Sequence, residues 1–169
     1  MKHCLKHRPR RRFSFKGERG SYAEQRGGVM LNKEELDRIS AAIRSAESHT
    51  SGELRVCIAK RCKGDPLKAA YIKFHQLKME QTQLHNGVLI YVSPTDHKAA
   101  ILGDKGINEI VRADFWDDAL AEMLACFSRE EITEGICKGV GKVGELIKTR
   151  YPISENDKNE LSDEVILEE

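Results

Sequence analysis

Two strand-like segments joined by a helix-like segment constrain the fold of this 169-residue chain most strongly. Residues 54–58 alternate large apolar side chains with others, which is the period-two pattern of a strand. Residues 67–77 carry apolar side chains at helical spacing, and residues 88–92 form an unbroken β-branched and aromatic run. Because β-α-β units cross over in the right-handed sense, we predict a parallel pair of strands at the centre of the fold.

Further elements are predicted on both sides of this unit. Asn32, with Glu35 three residues later, is typical of a capping box at the start of an amphipathic helix. Residues 99–102 follow turn-forming residues and predict an antiparallel strand. Asp114 is expected to cap a helix, and the apolar spacing of residues 132–147 predicts the last helix. We therefore predict an α/β fold, a three-layer α/β/α sandwich with a small mixed β-sheet of at least three strands and the order α-β-α-β-β-α-α.

Charge divides the chain into three parts. Residues 1–29 hold nine Lys/Arg against two Asp/Glu and predict a disordered basic extension, whereas residues 152–169 hold one against seven and predict an acidic tail. The predicted domain, residues 30–151, is neutral overall, so we expect no nucleic-acid binding by the folded body. The extension has two interpretations: a basic arm for RNA or an acidic partner, or a mis-assigned start upstream of Met30.

The expected cellular compartment rests on two features that the sequence does not show, a membrane-spanning segment and a secretory signal. No apolar run approaches the roughly 20 residues of a membrane-spanning helix, and no apolar segment of a secretory signal follows the basic start. The five cysteines are an odd number without a C-x-x-C pair, which favours reduced thiols over disulfides or a zinc site. We expect a cytoplasmic protein that does not contact a membrane.

Three oxygen-bearing side chains are the best candidates for a metal site. Glu53 precedes the first strand, Asn86 precedes the second, and Asp104 follows the antiparallel third, so all three should meet at one edge of the sheet. Carboxylate and carbonyl oxygens are the donors that Ca²⁺ and Mg²⁺ prefer. The alternative is that Glu53 and Asp104 are loop caps, with Asp104 binding backbone amides ahead of a helical turn.

Other chemistry has weaker support. The opposite edge carries the basic segment Lys60-Arg61-Cys62-Lys63. This segment either binds an anion or is only a charged, solvent-exposed segment at the end of the strand. The sequence carries no Walker loop, G-x-S-x-G elbow or zinc spacing, and we expect no organic cofactor.

An ordered series of segments resembles the TPM domain family over about residues 32–165. These segments are Thr50–Val56, Asn86–Val92, Ala100–Ile107, Phe115-Trp116 and Asn159–Val165. The resemblance implies an α/β/α sandwich. Many family members carry a signal peptide and a membrane anchor, and because this sequence shows neither, we expect a cytosolic, bacterial-type member. The functions within the family are diverse: acid phosphatase activity, photosystem II repair, modulation of a receptor, and calcium binding by bacterial members.

Three functional hypotheses follow. The first is a small protein that binds calcium or magnesium near Glu53, Asn86 and Asp104. The second is metal-assisted phosphomonoester hydrolysis, which the family resemblance alone supports. The third is a non-enzymatic interaction module for a protein partner, in which residues 165–167 of the acidic tail dock as a strand or short helix on that partner or back on the domain.

Deletion of residues 1–29 is expected to leave the thermal midpoint within about 2 °C of that of the full chain. The first helix has its own cap at Asn32 and its apolar stripe begins at Leu36, so the core needs nothing upstream. Thermal unfolding of both proteins measures this. Mass spectrometry of the endogenous protein tests the start: peptides from residues 13–29 would rule out initiation at Met30.

Overall fold

The structure, a computed structural model, describes residues 29–112 and 114–168. The predictions for residues 1–28 lie outside this range. The described residues form five α-helices, a 3₁₀ turn and four strands. In chain order these are α1 (Lys33–Glu47), β1 (Glu53–Ala59), α2 (Pro66–Gln76), the 3₁₀ turn (Met79–Gln81), β2 (Gly87–Ser93), β3 (Lys98–Gly103), α3 (Lys105–Asn108), α4 (Asp117–Phe127), α5 (Ile132–Lys148) and β4 (Ile166–Glu168).

The sheet has the strand order β3-β2-β1-β4. Strands β1 and β2 are parallel and in register from Glu53 opposite Gly87, which confirms the predicted β-α-β unit. Strand β3 runs antiparallel to β2, with Val88 opposite Gly103, and confirms the predicted hairpin. All seven residues of β2 are buried, as expected of a central strand with an unbroken apolar run.

A fourth strand forms within the segment that the sequence presents as an acidic tail. Strand β4 pairs in parallel with β1, with Cys57 opposite Ile166. Ile166 and Leu161 pack against the core on the α2 face of the sheet, so the end of the chain belongs to the folded body. Three residues are too few to show a clear strand period, so the sequence left open whether residues 165–167 dock as a strand or a helix, on a partner or back on the domain. The structure has a strand on the domain's own sheet.

Helices cover both faces of the sheet, which confirms the three-layer sandwich. The face towards α2 is filled by side chains from β1, β2 and α2, including Cys57, Leu89 and Phe74. The other face is packed by α1, α4 and α5, where Ile43, Phe127 and others are completely buried. Burial of each such side chain contributes about 1.5–3 kcal/mol to stability. No helix within the described residues is both long and apolar enough to cross a membrane.

Local capping explains where most helices begin. The capping box of α1 is confirmed, because the Glu35 amide donates to Asn32 Oδ1 at 3.0 Å and the Asn32 amide donates to Glu35 Oε2 at 2.8 Å. The predicted cap at Asp114 is wrong: α4 begins at Asp117. The guanidinium of Arg112 binds the Asp114 carboxylate, with Nε to Oδ1 at 3.2 Å, so this side chain does not cap the helix.

Substitution Gly106→Ala is expected to lower the stability by about 1–3 kcal/mol, or the thermal midpoint by about 2–4 °C per kcal/mol. A Cβ at position 106 would lie 2.7 Å from the carbonyl oxygens of both Leu84 and His85, and these backbone groups cannot easily move aside. The control is Gly141→Ala in α5, where a Cβ meets nothing within 4 Å and helix propensity favours alanine. An unchanged midpoint for Gly106→Ala in thermal unfolding would contradict this packing.

Candidate functional site

The three predicted site residues lie at one edge of the sheet, as the topology required. The Glu53 amide donates to the Asn86 carbonyl at 3.3 Å, and the Asp104 amide donates to the Gly87 carbonyl at 2.8 Å. All three side chains belong to buried residues. Their function as metal ligands stays a prediction, and the surroundings of each side chain differ.

The Glu53 carboxylate binds the C-terminal segment. Its oxygens accept hydrogen bonds from the amides of Glu160, at 2.8 Å, and Leu161, at 3.1 Å. Burial raises the pKa of Glu53, and the two amides act in the opposite direction. Through this contact the start of β1 is tied to the segment that leads into β4.

Asn86 combines one satisfied and one unsatisfied polar atom. Its Nδ2 donates to the Ser51 carbonyl at 2.8 Å. Its Oδ1 is buried and has no hydrogen-bond partner among the described residues. A buried carbonyl oxygen without a partner is costly in a folded protein, so an ordered water molecule is expected to satisfy it.

Asp104 acts as a helix cap, which was the alternative interpretation of its sequence position. Its Oδ1 accepts from the Lys105 amide at 2.7 Å, at the start of α3. Its Oδ2 lies 3.3 Å from Nδ1 of His85, a residue held in the left-handed conformation with φ of 49°. The carboxylate therefore has two partners outside the cavity described next.

A cavity of about 210 Å³ lies at this edge, between the end of α1, the start of β1 and the C-terminal segment. It is lined mainly by acidic and polar residues: Arg44, Glu47, Ser48, Thr50, Gly52, Glu53, Asp157, Asn159 and Asp163. Of the three predicted site residues, only Glu53 lines the cavity. Asn86 lies next to it, since a Cβ on Gly52 would be 3.6 Å from the Asn86 carbonyl oxygen.

Glu47 is the most perturbed acid of this cavity. As the last residue of α1, it accepts a hydrogen bond from the Leu54 amide at Oε1, at 2.7 Å. Burial and a hydrogen bond with Asp163 raise the pKa of Glu47 to about 9, against the opposing effect of the Leu54 amide. A pKa of about 9 favours the protonated form of Glu47 at neutral pH, with Asp163 as its hydrogen-bond partner.

Sequence reasoning missed Glu47, Asp157, Asn159 and Asp163. A signal was present in the tail, because Asp157, Asn159 and Asp163 carry oxygen donors at even spacings, as in calcium-binding loops. Glu47 had no such signal and looked like an ordinary residue of the last helical turn. Over the part of the chain that the structure describes, no three His, Cys, Asp or Glu side chains converge as a metal site.

These features define a class of protein: a small α/β/α sandwich with an acidic cavity at one edge of its sheet. The chain belongs to the TPM domain family, whose sequence profile matches residues 27–146. The family resemblance inferred from the sequence is thereby confirmed. No curated protein matches the chain.

Solved structures support the same assignment. The NMR structure of the BA42 protein from the psychrophilic bacterium Bizionia argentinensis matches with 39% identity and a TM-score of 0.76, over 82% of this chain and 96% of BA42. The N-terminal domain of the cg2496 protein from Corynebacterium glutamicum matches with 16% identity and a TM-score of 0.55, over 68% of this chain and 72% of that domain. An N-terminal domain of a protein from P. gingivalis matches with 12% identity and a TM-score of 0.59, over 75% and 83%. The last two show the fold alone.

Substitution Glu47→Gln is expected to flatten the dependence of stability on pH. The unfolded-state pKa of Glu47 is near 4.5 and the folded-state pKa is about 9. The stabilisation that this group contributes is therefore complete below pH 4.5 and is lost as pH rises towards 9. Glutamine keeps a hydrogen-bond donor for Asp163 and does not titrate.

The measurement is the thermal midpoint from pH 5 to pH 9 with a chelator present. The midpoint of the wild type is expected to fall relative to that of Glu47→Gln as pH rises. The control is Glu122→Gln, at an exposed position on α4, which is expected to follow the wild type. Parallel curves for the wild type and Glu47→Gln would contradict the raised pKa of Glu47.

Proposed function

We propose that this protein binds a divalent cation, Ca²⁺ or Mg²⁺, in the acidic cavity at the edge of the sheet that carries Glu53 and Asn86. The observation that carries the proposal is the placement of Glu47 and Asp163 in one cavity lined by four carboxyl groups, where burial and the neighbouring acids raise the pKa of Glu47. A cation that replaces the proton of Glu47 would let this carboxyl group ionise.

The lining residues carry the oxygen donors that a hard cation prefers, and a bound ion would have to draw them together, because no three of the acids converge among the residues that the structure describes. Four carboxylates and one amide line the cavity: Glu47, Glu53, Asp157, Asp163 and Asn159. Oxygen donors of this kind suit Ca²⁺, which takes six to eight of them, or Mg²⁺ with several retained waters. Asn86, whose buried Oδ1 has no partner among the described residues, has its backbone carbonyl next to the cavity wall at Gly52.

The electrostatic cost of ionising the carboxyl groups of the cavity favours the binding of a cation. Buried carboxylates disfavour ionisation because they lose hydration, and like charges nearby add repulsion. Asp163 and Glu53 both raise the pKa of Glu47 through charge repulsion. A bound cation would reverse the sign of this electrostatic environment, so binding is expected to release protons and to tighten as pH rises.

The C-terminal segment is expected to contribute directly. Glu53 holds the backbone of Glu160 and Leu161, which places the oxygen donors before and after them over the cavity. The resemblance to TPM domains, whose bacterial members include calcium-binding proteins, agrees with this proposal. Phosphomonoester hydrolysis, a protein partner and the cytoplasmic location stay predictions.

Titration with Ca²⁺ or Mg²⁺, followed by amide chemical shifts, tests the proposal. We expect saturable shifts at Gly52, Glu53, Glu160 and Leu161, and at least tenfold weaker binding for Glu47→Gln and for Asp163→Asn. Calorimetry in buffers of different ionisation enthalpy is expected to report proton release near neutral pH. An absence of shifts at these amides up to 10 mM of either metal would refute the proposal.

The variant Asp104→Asn tests whether the metal binds to the residues that line the cavity or to the three ligands predicted from the sequence, which include Asp104. Because Asp104 caps α3 and does not line the cavity, we expect this variant to bind the metal within about twofold of the wild type. A loss as large as that of Glu47→Gln would instead assign Asp104 to the site. Circular dichroism of each variant checks that the fold is kept.

A further inference from the structure

The C-terminal segment is attached to the folded body with little burial of apolar surface. We call residues 152–168 the strap. No residue of the strap is buried, and Leu167 is 59% exposed. Its apolar contacts come from Leu161, Val165 and Ile166, which are only partly buried. Because buried apolar area is the main favourable term in docking a segment, the strap is expected to detach at a smaller free energy than the core unfolds.

Backbone hydrogen bonds position the strap at two places. Near the acidic cavity, the Glu53 carboxylate accepts from the amides of Glu160 and Leu161. At the end of the strap, β4 pairs with β1, and the Lys60 amide donates to the Glu168 carbonyl at 3.0 Å. The strap therefore does two things at once: it contributes one wall of the cavity, and it covers the edge of β1.

The acidic cavity has one wall from the body and one from the strap. The carboxyl groups of Glu47 and Glu53 belong to the body wall. The oxygen donors of Asp157, Asn159 and Asp163 belong to the strap wall. A cation bound in this cavity would contact both walls, so it would reach its full set of ligands only while the strap is docked.

Without a cation, the charges around the cavity oppose docking of the strap. The strap holds six Asp/Glu against one Lys, and the body wall adds two acids against one arginine. Glu160 and Asp157 of the strap repel the Glu53 carboxylate. The ion pair of Lys73 Nζ with Glu168 Oε1, at 2.9 Å, attracts the strap, but it lies at β4 and not at the cavity. A divalent cation between the two walls would replace repulsion by attraction.

We propose that the strap is a cation-controlled cover of the sheet edge: a bound Ca²⁺ or Mg²⁺ ion holds it on the body, and loss of the ion releases it. This inference rests on the proposed function and adds the regulation that the same site would exert. The strap pairs with the backbone of Cys57–Ala59, so its release leaves these groups of β1 without their partners. An uncovered strand edge is open to pairing with another extended segment.

The size of the effect follows from linkage. A metal ion that binds only while the strap is docked suppresses strap opening by the factor 1 + [M]/Kd. Backbone amides that the docked strap protects should therefore exchange their hydrogens about tenfold more slowly at a metal concentration of about nine times Kd. Above that concentration the protection should rise in proportion to the metal.

Hydrogen exchange followed by NMR tests the proposal, with the full chain in a chelator and at increasing Ca²⁺ or Mg²⁺. The reporters are the amides of Lys60, Glu160 and Leu161, which donate across the boundary between strap and body. The control is the Cys62 amide, which donates to Asp96 in the β2–β3 turn. We expect the three reporters to slow by the linkage factor and the control to stay unchanged.

A pair of variants tests the coupling without altering a cavity oxygen. Leu161→Ala with Ile166→Ala weakens the apolar contacts of the strap, and neither residue lines the cavity. A smaller docked fraction lowers the apparent affinity, so this double variant is expected to bind the metal about threefold more weakly or worse in calorimetry. The matched control is Ile72→Ala with Leu124→Ala, at exposed apolar positions of α2 and α4, which should bind like the wild type. Thermal unfolding checks that both variants are folded.

The outcomes distinguish this inference from the cation site on which it rests. Saturable shifts at Gly52 and Glu53, together with exchange at the reporters that does not depend on metal, would overturn control of the strap and leave the cation site in place. Equal affinities of the two double variants would do the same. An absence of shifts at every amide would refute the cation site, and control of the strap by a cation with it.

Discussion

The parallel pairing of β1 with β2 is the constraint on which the rest of the structure depends. It places the starts of both strands at one edge and their ends at the other. At the first edge, the residues that begin the strands meet the end of α1 and the C-terminal segment, and an acidic cavity results. At the second edge, the loop after β1 meets the β2–β3 turn, and cations are collected there. Hydrophobic burial of β2 on both faces supplies the free energy that holds this arrangement.

Buried acids give the first edge its chemical character. Glu47, which binds the Leu54 amide and Asp163, and Glu53, which binds two backbone amides, connect α1, β1 and the C-terminal segment. Desolvation disfavours the ionised form of a carboxyl group, so the stability of this edge depends on pH. The same property underlies the proposal that a divalent cation binds here, because it would supply positive charge among the acids.

The two edges are far enough apart to act independently. Strand β1 has seven residues, and at about 3.3 Å per residue its ends are separated by roughly 20 Å. Because the Debye length is about 8 Å at physiological ionic strength, charges at one end are largely screened from those at the other. The folded body can therefore present an acidic and a basic surface at the same time.

The sequence by itself determined the local elements and the parallel strand pair. The capping box at Asn32, the alternation in β1 and the unbroken run in β2 depend on neighbouring residues, and each was predicted correctly. The meeting of Glu53, Asn86 and Asp104 at one edge followed from topology alone. Only the tertiary structure decided the addition of β4, the pairing of Glu47 with Asp163, and the partners of Asp104. The hydrogen bond from the Glu160 amide to Glu53 joins residues 107 positions apart, and contacts at that separation leave no periodic pattern in the chain. They form because packing of the core brings distant segments together and excludes water from the acids between them.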